Sequence, residues 1–108
     1  MTELKAVLLG VPQAMLDAHG AVYPGVAAAM ADGVRQRLGA TFGVATTGVA
    51  GPDPQDGQPV GTIHIAVSAD DDTVVRTLAL DGDRERIRRL AVERSLALLL
   101  GRLREDIR

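Results

Sequence analysis

The clearest pattern of apolar and polar positions in the chain lies between Val60 and Ser68. Side chains alternate in character along this stretch, which is typical of a β-strand with two different faces. One face would carry Ile63, Ile65 and Val67, and the other Thr62, His64 and Ala66. An acidic tip at residues 70–72 follows, and Thr73–Leu80 reads as a returning strand, so the sequence predicts an antiparallel hairpin.

After Pro24, apolar residues recur with a longer period of about four residues. Proline suits the first position of a helix, and Gly39 suits the residue after its end, so we predict a helix between them. Its apolar stripe would face a core, and the small alanines beside the stripe would let the backbone approach a sheet closely. The stripe consists of Val26, Met30, Val34 and Leu38, and the alanines are Ala27, Ala28 and Ala31.

The C-terminal part predicts a long helix from about Asp83 to at least Leu103. Its first half is charged on one side, whereas Leu96–Leu100 is apolar around the whole helix axis. Such a segment is expected to be covered on more than one face. In a chain of this size, a neighbouring subunit is a plausible cover.

Two short helices and one more strand complete the predicted elements, and a Gly/Pro-rich loop separates this strand from the hairpin. Loops of this length that lack regular structure usually serve a site or remain disordered. The element order predicts an α/β layered domain whose three-stranded sheet has unpaired edges. The helices are Thr2–Gly10 and Pro12–Gly20, the strand is Thr41–Thr47, and the loop is Gly48–Pro59.

The composition limits the function classes. With 108 residues the chain forms one domain at most, over residues 1–108. Two aromatic residues and a net charge of −2 argue against a nucleic-acid partner, which favours stacking platforms and a basic excess. The absence of cysteine excludes disulfides, thiolate nucleophiles and zinc fingers. No signal peptide or apolar run of about 18 residues is present, so we expect a cytoplasmic protein without a membrane partner.

The start of the Gly/Pro loop is the first candidate for chemistry. Thr46–Gly51 follows a strand, and its amides and hydroxyls could surround a phosphate or an oxyanion, although a structural turn explains the pattern as well. The Gly-Lys-Ser/Thr sequence of a Walker A loop is absent, and the glycine spacing differs from the dinucleotide fingerprint.

A second candidate site lies at Gly82–Arg84, where a helix N-terminus and a guanidinium together could bind an anion. The arginines that follow read mainly as a solvated, salt-bridged face. No metal is predicted, because His19 and His64 are the only histidines and residues 70–72 lack the rest of a calcium loop.

Candidate nucleophiles are few. Ser68 ends a strand and Ser95 lies within the predicted long helix, so neither occupies a strained strand-to-helix turn. Lys5 is the only lysine, and it reads either as a base with a shifted pKa or as a surface residue.

Five blocks in the same order resemble the CinA carboxy-terminal domain family, whose members are similar to nicotinamide-nucleotide amidases. The resemblance covers nearly all 108 residues. The blocks are Glu3–Pro12, His19–Val22, Thr47–Pro52, Pro59–Thr62 and Gly82–Arg84.

The resemblance implies an α/β/α fold and hydrolysis of nicotinamide mononucleotide to nicotinic acid mononucleotide and ammonia, with no cofactor. By position, Lys5 matches the lysine that assists the family's serine nucleophile, and Arg84 matches an arginine that meets the phosphate or orients the site. The residues matching the loop beside the substrate are Thr47, Gly48, Ala50 and Gly51.

In active relatives the serine lies in a Glu-Ser-Cys-Thr-Gly-Gly segment that precedes the part matched by this chain, and Tyr23 stands where relatives have a helix-capping serine. We therefore expect nucleotide binding with little turnover, an uncovered sheet edge and apolar helix face, and a homo-oligomer of at least two copies. The alternative is a non-catalytic nucleotide-binding or assembly module.

Overall fold

The computed structural model describes residues 11–107, with side chains as far as residue 105. The predicted helix over Thr2–Gly10 and the candidate catalytic residue Lys5 lie outside the described residues. The elements are helices α1 (Gln13–His19) and α2 (Pro24–Leu38), strands β1 (Gly43–Gly48), β2 (Thr62–Ser68) and β3 (Thr73–Ala79), and helix α3 (Arg84–Ile107).

The three described strands form an antiparallel sheet in the order β1-β2-β3, so consecutive strands are neighbours. This confirms the predicted hairpin, and Ile65 in the central strand lies opposite Thr46 on one side and Arg76 on the other. Strand β2 begins two residues later than predicted. The amide of Gly61 donates instead to the carbonyl of Val49, which lies beyond the end of β1.

Helix α2 covers one face of the sheet through small residues. Ala27 and Ala31 are fully buried and pack against Ala45 and Ala66. A Cβ on Gly43 would lie 2.2 Å from the carbonyl oxygen of Ala31, so the helix backbone almost touches β1. The predicted close approach of the alanines to a sheet is therefore confirmed.

The predicted apolar stripe of α2 is wrong at its end, because Leu38 is 75% exposed. The guanidinium of Arg35 reaches Ser68, and Ser68 pairs with the first residue of β1 and the first residue of β3. The sheet therefore ends at the level of Arg35, and the last turn of α2 projects beyond it. The 3.6-residue period continues to Leu38 although there is no longer a surface to bury it.

Helix α3 covers the opposite face of the sheet. Ile87 and Ala91 pack against Ile63 and Ile65 of β2, whereas Ala66 faces α2. Successive side chains of a strand point to opposite faces, so the two helices enclose the sheet between them. The α/β/α layering that the resemblance implied is confirmed.

The acidic hairpin tip connects both helices to the sheet. Asp70 accepts a hydrogen bond of 2.9 Å from Arg35 of α2, while Arg102 of α3 lies 3.2 Å from Asp72 and also donates to Asp71. The hydrogen bond from Arg102 lowers the pKa of the Asp71 carboxyl. These carboxylates are exposed, so the pairs orient the helices more than they stabilise the fold. The sequence had indicated only a solvated turn.

Helix α3 was expected to be covered on more than one face around residues 96–100. Leu96 and Leu100 are 55% and 52% exposed, so the described residues cover only one side of the helix. No helix in the described part of the chain combines the length and the apolar character needed to cross a bilayer.

The burial of Ile87 gives a direct test of the α3 contact. Ile87 is 0% exposed, and Leu38, at the end of α2, is 75% exposed. Ile87→Ala should lower the free energy of unfolding by about 2–5 kcal/mol, because it removes buried contacts and leaves a cavity. Leu38→Ala should change it by no more than about 0.5 kcal/mol, because this side chain buries little surface. Urea denaturation measures both, and equal losses would show that α3 is not docked through Ile87.

Candidate functional site

The candidate loop leaves the sheet at the end of β1. Gly48 is the last residue of the strand, and Val49 continues the pairing, with its amide 2.9 Å from the carbonyl oxygen of Thr62. Ala50 packs with Val60 against the apolar cluster that includes Ile87. The start of the loop is therefore held against the α3 side of the sheet.

Gly51 forms the turn of this loop. Its φ of 96° lies in the left-handed region that favours glycine, and a Cβ would lie 2.8 Å from Val60 Cγ1. Within residues 11–107, the amides of Ala50 and Gly51 have no hydrogen-bond acceptor. Two such amides beside a turn are suited to an anion or to the oxygen of a polarised carbonyl.

Arg84 brings a positive charge to the same turn. Its Nη1 donates a hydrogen bond of 3.1 Å to the carbonyl oxygen of Gly51, across 33 residues of sequence. An exposed guanidinium has further N–H donors in one plane, so the contact with Gly51 leaves donors for a ligand. Arg84 also lines an open groove of about 300 Å³ with Glu85 and Arg88. The structure therefore brings the predicted residues Gly51 and Arg84 together.

The N-terminus of α3 is satisfied by its own sequence. Asp83 accepts a hydrogen bond of 2.8 Å from the Arg86 amide through its carboxylate, and its carbonyl accepts another of 2.9 Å from the Ile87 amide. This is the usual arrangement of an aspartate N-cap. The feature at Gly82–Arg84 that can bind an anion is therefore the Arg84 side chain, not the end of the helix.

Thr47 has a different position from the loop residues that follow it. Its hydroxyl donates a hydrogen bond of 2.6 Å to the carbonyl oxygen of Ala21, and its side chain is buried. Thr46 faces the other side of the sheet and is exposed in a groove beside α3. Thr47 therefore holds the segment between α1 and α2 against β1, and its hydroxyl proton is already engaged.

Asp56 is a residue that the sequence analysis missed. It lies in a tight turn in which the amide of Gln58 donates to the carbonyl of Gln55, and Asp56 and Gly57 have φ values of 52° and 74°. Two successive positive φ values are characteristic of a type I′ turn, for which Asp-Gly is a preferred pair. The Asp-Gly pair was therefore a readable signal. The Asp56 carboxylate accepts hydrogen bonds from the amides of Ala21 and Val22 at 3.0 and 3.3 Å.

The hydroxyls of both serines form hydrogen bonds with residues outside the Gly51 turn. Ser68 is fully buried and contacts Asp32 at 2.5 Å and Arg35 at 2.9 Å. Ser95 donates to the carbonyl oxygen of Ala91 within α3. Neither hydroxyl is placed to attack a ligand bound at Gly51 and Arg84.

The histidines also have local partners. The ring of His19 stacks on Tyr23 with centroids 3.9 Å apart, and Tyr23 is the N-cap residue of α2 without a side-chain capping bond. His64 is buried in β2, with Nδ1 2.9 Å from Thr77 Oγ1. Burial lowers the pKa of His64 below its ordinary value. Among the described residues, no three metal-binding side chains lie close together.

A groove of about 420 Å³ runs between β1 and α3. We call it the β1–α3 groove; it is lined by Val44, Thr46, Arg88, Ala91, Val92, Ser95 and Leu96. It contains part of the exposed apolar face of α3, and it lies beside β1, the strand at one edge of the sheet formed by the described strands. This surface and the Gly51 turn are both suited to bind another molecule.

Comparison with known proteins assigns a family to this architecture. The family model described as the CinA C-terminal domain matches residues 1–103. A CinA-like protein of Frankia casuarinae is 58% identical over 98 residues, which are 91% of this chain and 23% of the relative. A CinA-like protein of Anaeromyxobacter dehalogenans is 48% identical over 98 residues, or 88% of this chain and 24% of that protein. The chain thus spans about a quarter of these curated relatives.

Solved structures agree with the family model. A CinA superfamily protein from Escherichia coli has a TM-score of 0.88 and 36% identity, with 93% of this chain and 59% of that chain covered. The competence damage-inducible protein A from Klebsiella pneumoniae has a TM-score of 0.90 and 32% identity, with coverages of 95% and 65%. The match therefore extends over nearly all of this chain and over less than two-thirds of either solved chain.

The buried His64 predicts a pH dependence of stability. Because its pKa is lowered in the folded state, the unfolded chain binds a proton that the folded chain does not as the pH falls below 6.5. The contribution of His64 is fully present above this value and decreases below it, by at most about 1.4 kcal/mol per pH unit. Urea denaturation at about pH 7.5 and about pH 5.5 should show this loss in the parent chain.

The histidine responsible can be identified by substitution. His64→Gln should reduce the difference between the two pH values, because the titrating group is removed. His19→Gln, at the exposed histidine, should leave the difference as it is in the parent. A pH difference that His19→Gln removes and His64→Gln preserves would contradict this assignment.

Proposed function

The chain belongs to the CinA C-terminal domain family, and on that premise we propose that its Gly51 turn and Arg84 bind the phosphate of nicotinamide mononucleotide. The proposed reaction of the complete site is hydrolysis of the nucleotide's carboxamide, which gives nicotinic acid mononucleotide and ammonia. The observation that carries the proposal is the contact between Arg84 Nη1 and the Gly51 carbonyl oxygen.

The chemistry of the turn supports a phosphate ligand. The Ala50 and Gly51 amides have no acceptor within the described residues, and the Arg84 guanidinium is the cation that contacts this turn. Backbone amides and a guanidinium are complementary to phosphate oxygens, because both donate hydrogen bonds and the guanidinium also carries the opposite charge. The site is open to solvent, so a nucleotide can reach it from outside.

Hydrolysis needs a group that attacks the carboxamide carbon, a proton for the leaving ammonia, and water to release the acid. In the described structure, Ser68 and Ser95 are engaged elsewhere, and the chain contains no cysteine. Lys5, the residue we propose to assist a nucleophile, lies outside the described residues. We therefore propose that the 108-residue chain binds the nucleotide and does not hydrolyse it by itself.

A second function, assembly, is favoured by the apolar face of α3. Val92, Leu96 and Leu100 are each more than half exposed and recur every four residues, so they lie along one stripe of the helix. This stripe adjoins β1, an edge strand among the described strands. We propose that a second copy of the chain covers this surface, which gives at least a dimer and removes exposed apolar area from water.

The phosphate proposal predicts how ligand affinity depends on Arg84. Nicotinamide mononucleotide should bind the chain, and nicotinamide riboside, which lacks the phosphate, should bind much more weakly. Arg84→Ala should weaken mononucleotide binding by roughly tenfold or more, because a charge-assisted hydrogen bond is lost. Isothermal titration calorimetry measures each affinity, and the same samples should release no ammonia.

Arg89→Ala is the matched control. It removes the same charge from the same helix, and its exposed side chain lines neither the groove that contains Arg84 nor the β1–α3 groove. Affinity should remain close to that of the parent chain. Equal binding of the mononucleotide and the riboside, or equal losses in Arg84→Ala and Arg89→Ala, would refute the phosphate site.

The assembly proposal predicts the behaviour of charged substitutions on α3. Leu96→Asp should convert the dimer to a monomer, because it places a charge in an apolar interface. Leu38→Asp introduces the same side chain at another exposed leucine and should leave the dimer intact. Sedimentation velocity distinguishes the dimer from the monomer. A protein concentration of about 10 μM lies within the range of dissociation constants of ordinary protein complexes. A well-folded monomer of the parent chain would exclude the proposed dimer.

A further inference from the structure

Two hydrogen bonds, one at each end of the Gly/Pro loop, are made to the same residue, Ala21. The hydroxyl of Thr47, just before the loop, donates to the carbonyl oxygen of Ala21. The carboxylate of Asp56, near the other end of the loop, accepts from the amide of Ala21. One peptide segment between α1 and α2 therefore holds both the start and the far turn of the loop that carries Gly51.

We propose that Asp56 is a positioning residue for the nucleotide site, which sets the conformation of the Gly51 turn without touching the ligand. This inference rests on the proposed function, since the effect on affinity needs a ligand at Gly51 and Arg84. It adds a role for a side chain that lies outside the Gly51 turn and that the family resemblance did not indicate.

The geometry of Asp56 suits this role. Its left-handed conformation is set by the type I′ turn, and it directs the carboxylate to the amides of Ala21 and Val22. A carboxylate that accepts two backbone amides forms stronger hydrogen bonds than a neutral acceptor. Between Asp56 and Thr47 the loop contains Gly51, whose carbonyl must face Arg84. Release of Asp56 would free one end of the loop and increase the number of conformations available to the Gly51 turn.

A purely electrostatic role of Asp56 and a positioning role predict opposite changes in ligand affinity when Asp56 is replaced, so the two roles can be distinguished. An aspartate near a bound phosphate repels it, so removal of the negative charge should tighten binding if Asp56 acts only through the electrostatic field. If Asp56 positions the loop, its removal should weaken binding although the repulsion is relieved. Asp53 provides a matched control, since it lies in the same loop and makes no side-chain hydrogen bond within the described residues.

The experiment compares three substitutions in the 108-residue chain. Asp56→Gly removes the carboxylate and keeps a residue that accepts the left-handed conformation. Asp56→Asn keeps one side-chain oxygen as an acceptor, and Asp53→Gly removes an equal charge from the same loop. Calorimetric titration with nicotinamide mononucleotide gives the affinities. Hydrogen exchange followed by NMR gives the protection of the Ala21 and Val22 amides, which needs no ligand.

We expect Asp56→Gly to bind the mononucleotide about tenfold more weakly than the parent and to lose protection at both amides. Asp56→Asn should recover most of the affinity, and Asp53→Gly should equal the parent or bind slightly more tightly. Tighter binding by Asp56→Gly, or unchanged protection of the Ala21 and Val22 amides, would overturn the inference. If Asp56→Gly does not fold, the amide protection in Asp56→Asn decides. A neutral acceptor forms weaker hydrogen bonds than a carboxylate, so protection of the Ala21 and Val22 amides should fall in part, and protection equal to that of the parent would overturn the inference.

The two proposals can fail separately. Absence of mononucleotide binding by the parent chain would refute the proposed function. In that case, unchanged amide protection in Asp56→Gly would still refute the attachment of the loop by Asp56. If the parent binds and Asp56→Gly binds equally well, the nucleotide site stands and the positioning role of Asp56 is refuted.

Discussion

The candidate site depends on how one irregular loop is held in place. Hydrogen bonds from Thr47 and to Asp56 meet at Ala21, and this arrangement fixes a glycine- and proline-rich segment that has no regular structure of its own. Such a segment loses much conformational freedom on folding, so it remains ordered only where specific contacts compensate. The short segment between α1 and α2, which carries no candidate catalytic group among its described residues, therefore acts as the support for the Gly51 turn.

The candidate site also depends on the position of α3. Ile87 is buried against β2, and Asp83 caps the helix one turn earlier, so the start of α3 is fixed in both position and direction. Arg84 lies between these two anchors and reaches the Gly51 carbonyl. The electrostatic part of the site thus follows from apolar packing on the sheet. The same helix turns an apolar stripe away from the sheet, and nucleotide binding and assembly would therefore share one element.

Local sequence patterns predicted the elements well and their ends less well. The alternation in residues 60–68 gave β2 and its two faces because side chains of a strand alternate regardless of what covers them. The exposure of Leu38 was missed because the helical period carries no information about where the sheet ends. The contacts at the hairpin tip were missed because Arg35 and Arg102 meet the acidic residues only after both helices have docked.

For the candidate site, too, the sequence predicted individual residues better than the contacts between them. Gly51 and Arg84 were identified from the sequence, first as candidate anion sites and then as parts of family blocks, but their contact joins residues far apart in sequence and depends on the docking of α3. The resemblance placed Thr47 beside the substrate, and the structure shows its hydroxyl bonded to Ala21. Asp56 stood next to a glycine in a pattern typical of a tight turn, yet its partner at Ala21 could not be read from the sequence.

We propose that the Gly51 turn and Arg84 form an anion site for a nucleotide phosphate. NMR titration of the isotopically labelled chain is the sharpest test of this site, because each amide is observed separately. Nicotinamide mononucleotide should shift the Ala50 and Gly51 amides and the Arg84 side-chain resonance in a saturable manner, while nicotinamide riboside should leave them nearly unchanged. Saturable shifts confined to other parts of the chain, or identical shifts with both compounds, would refute a phosphate site at Gly51 and Arg84.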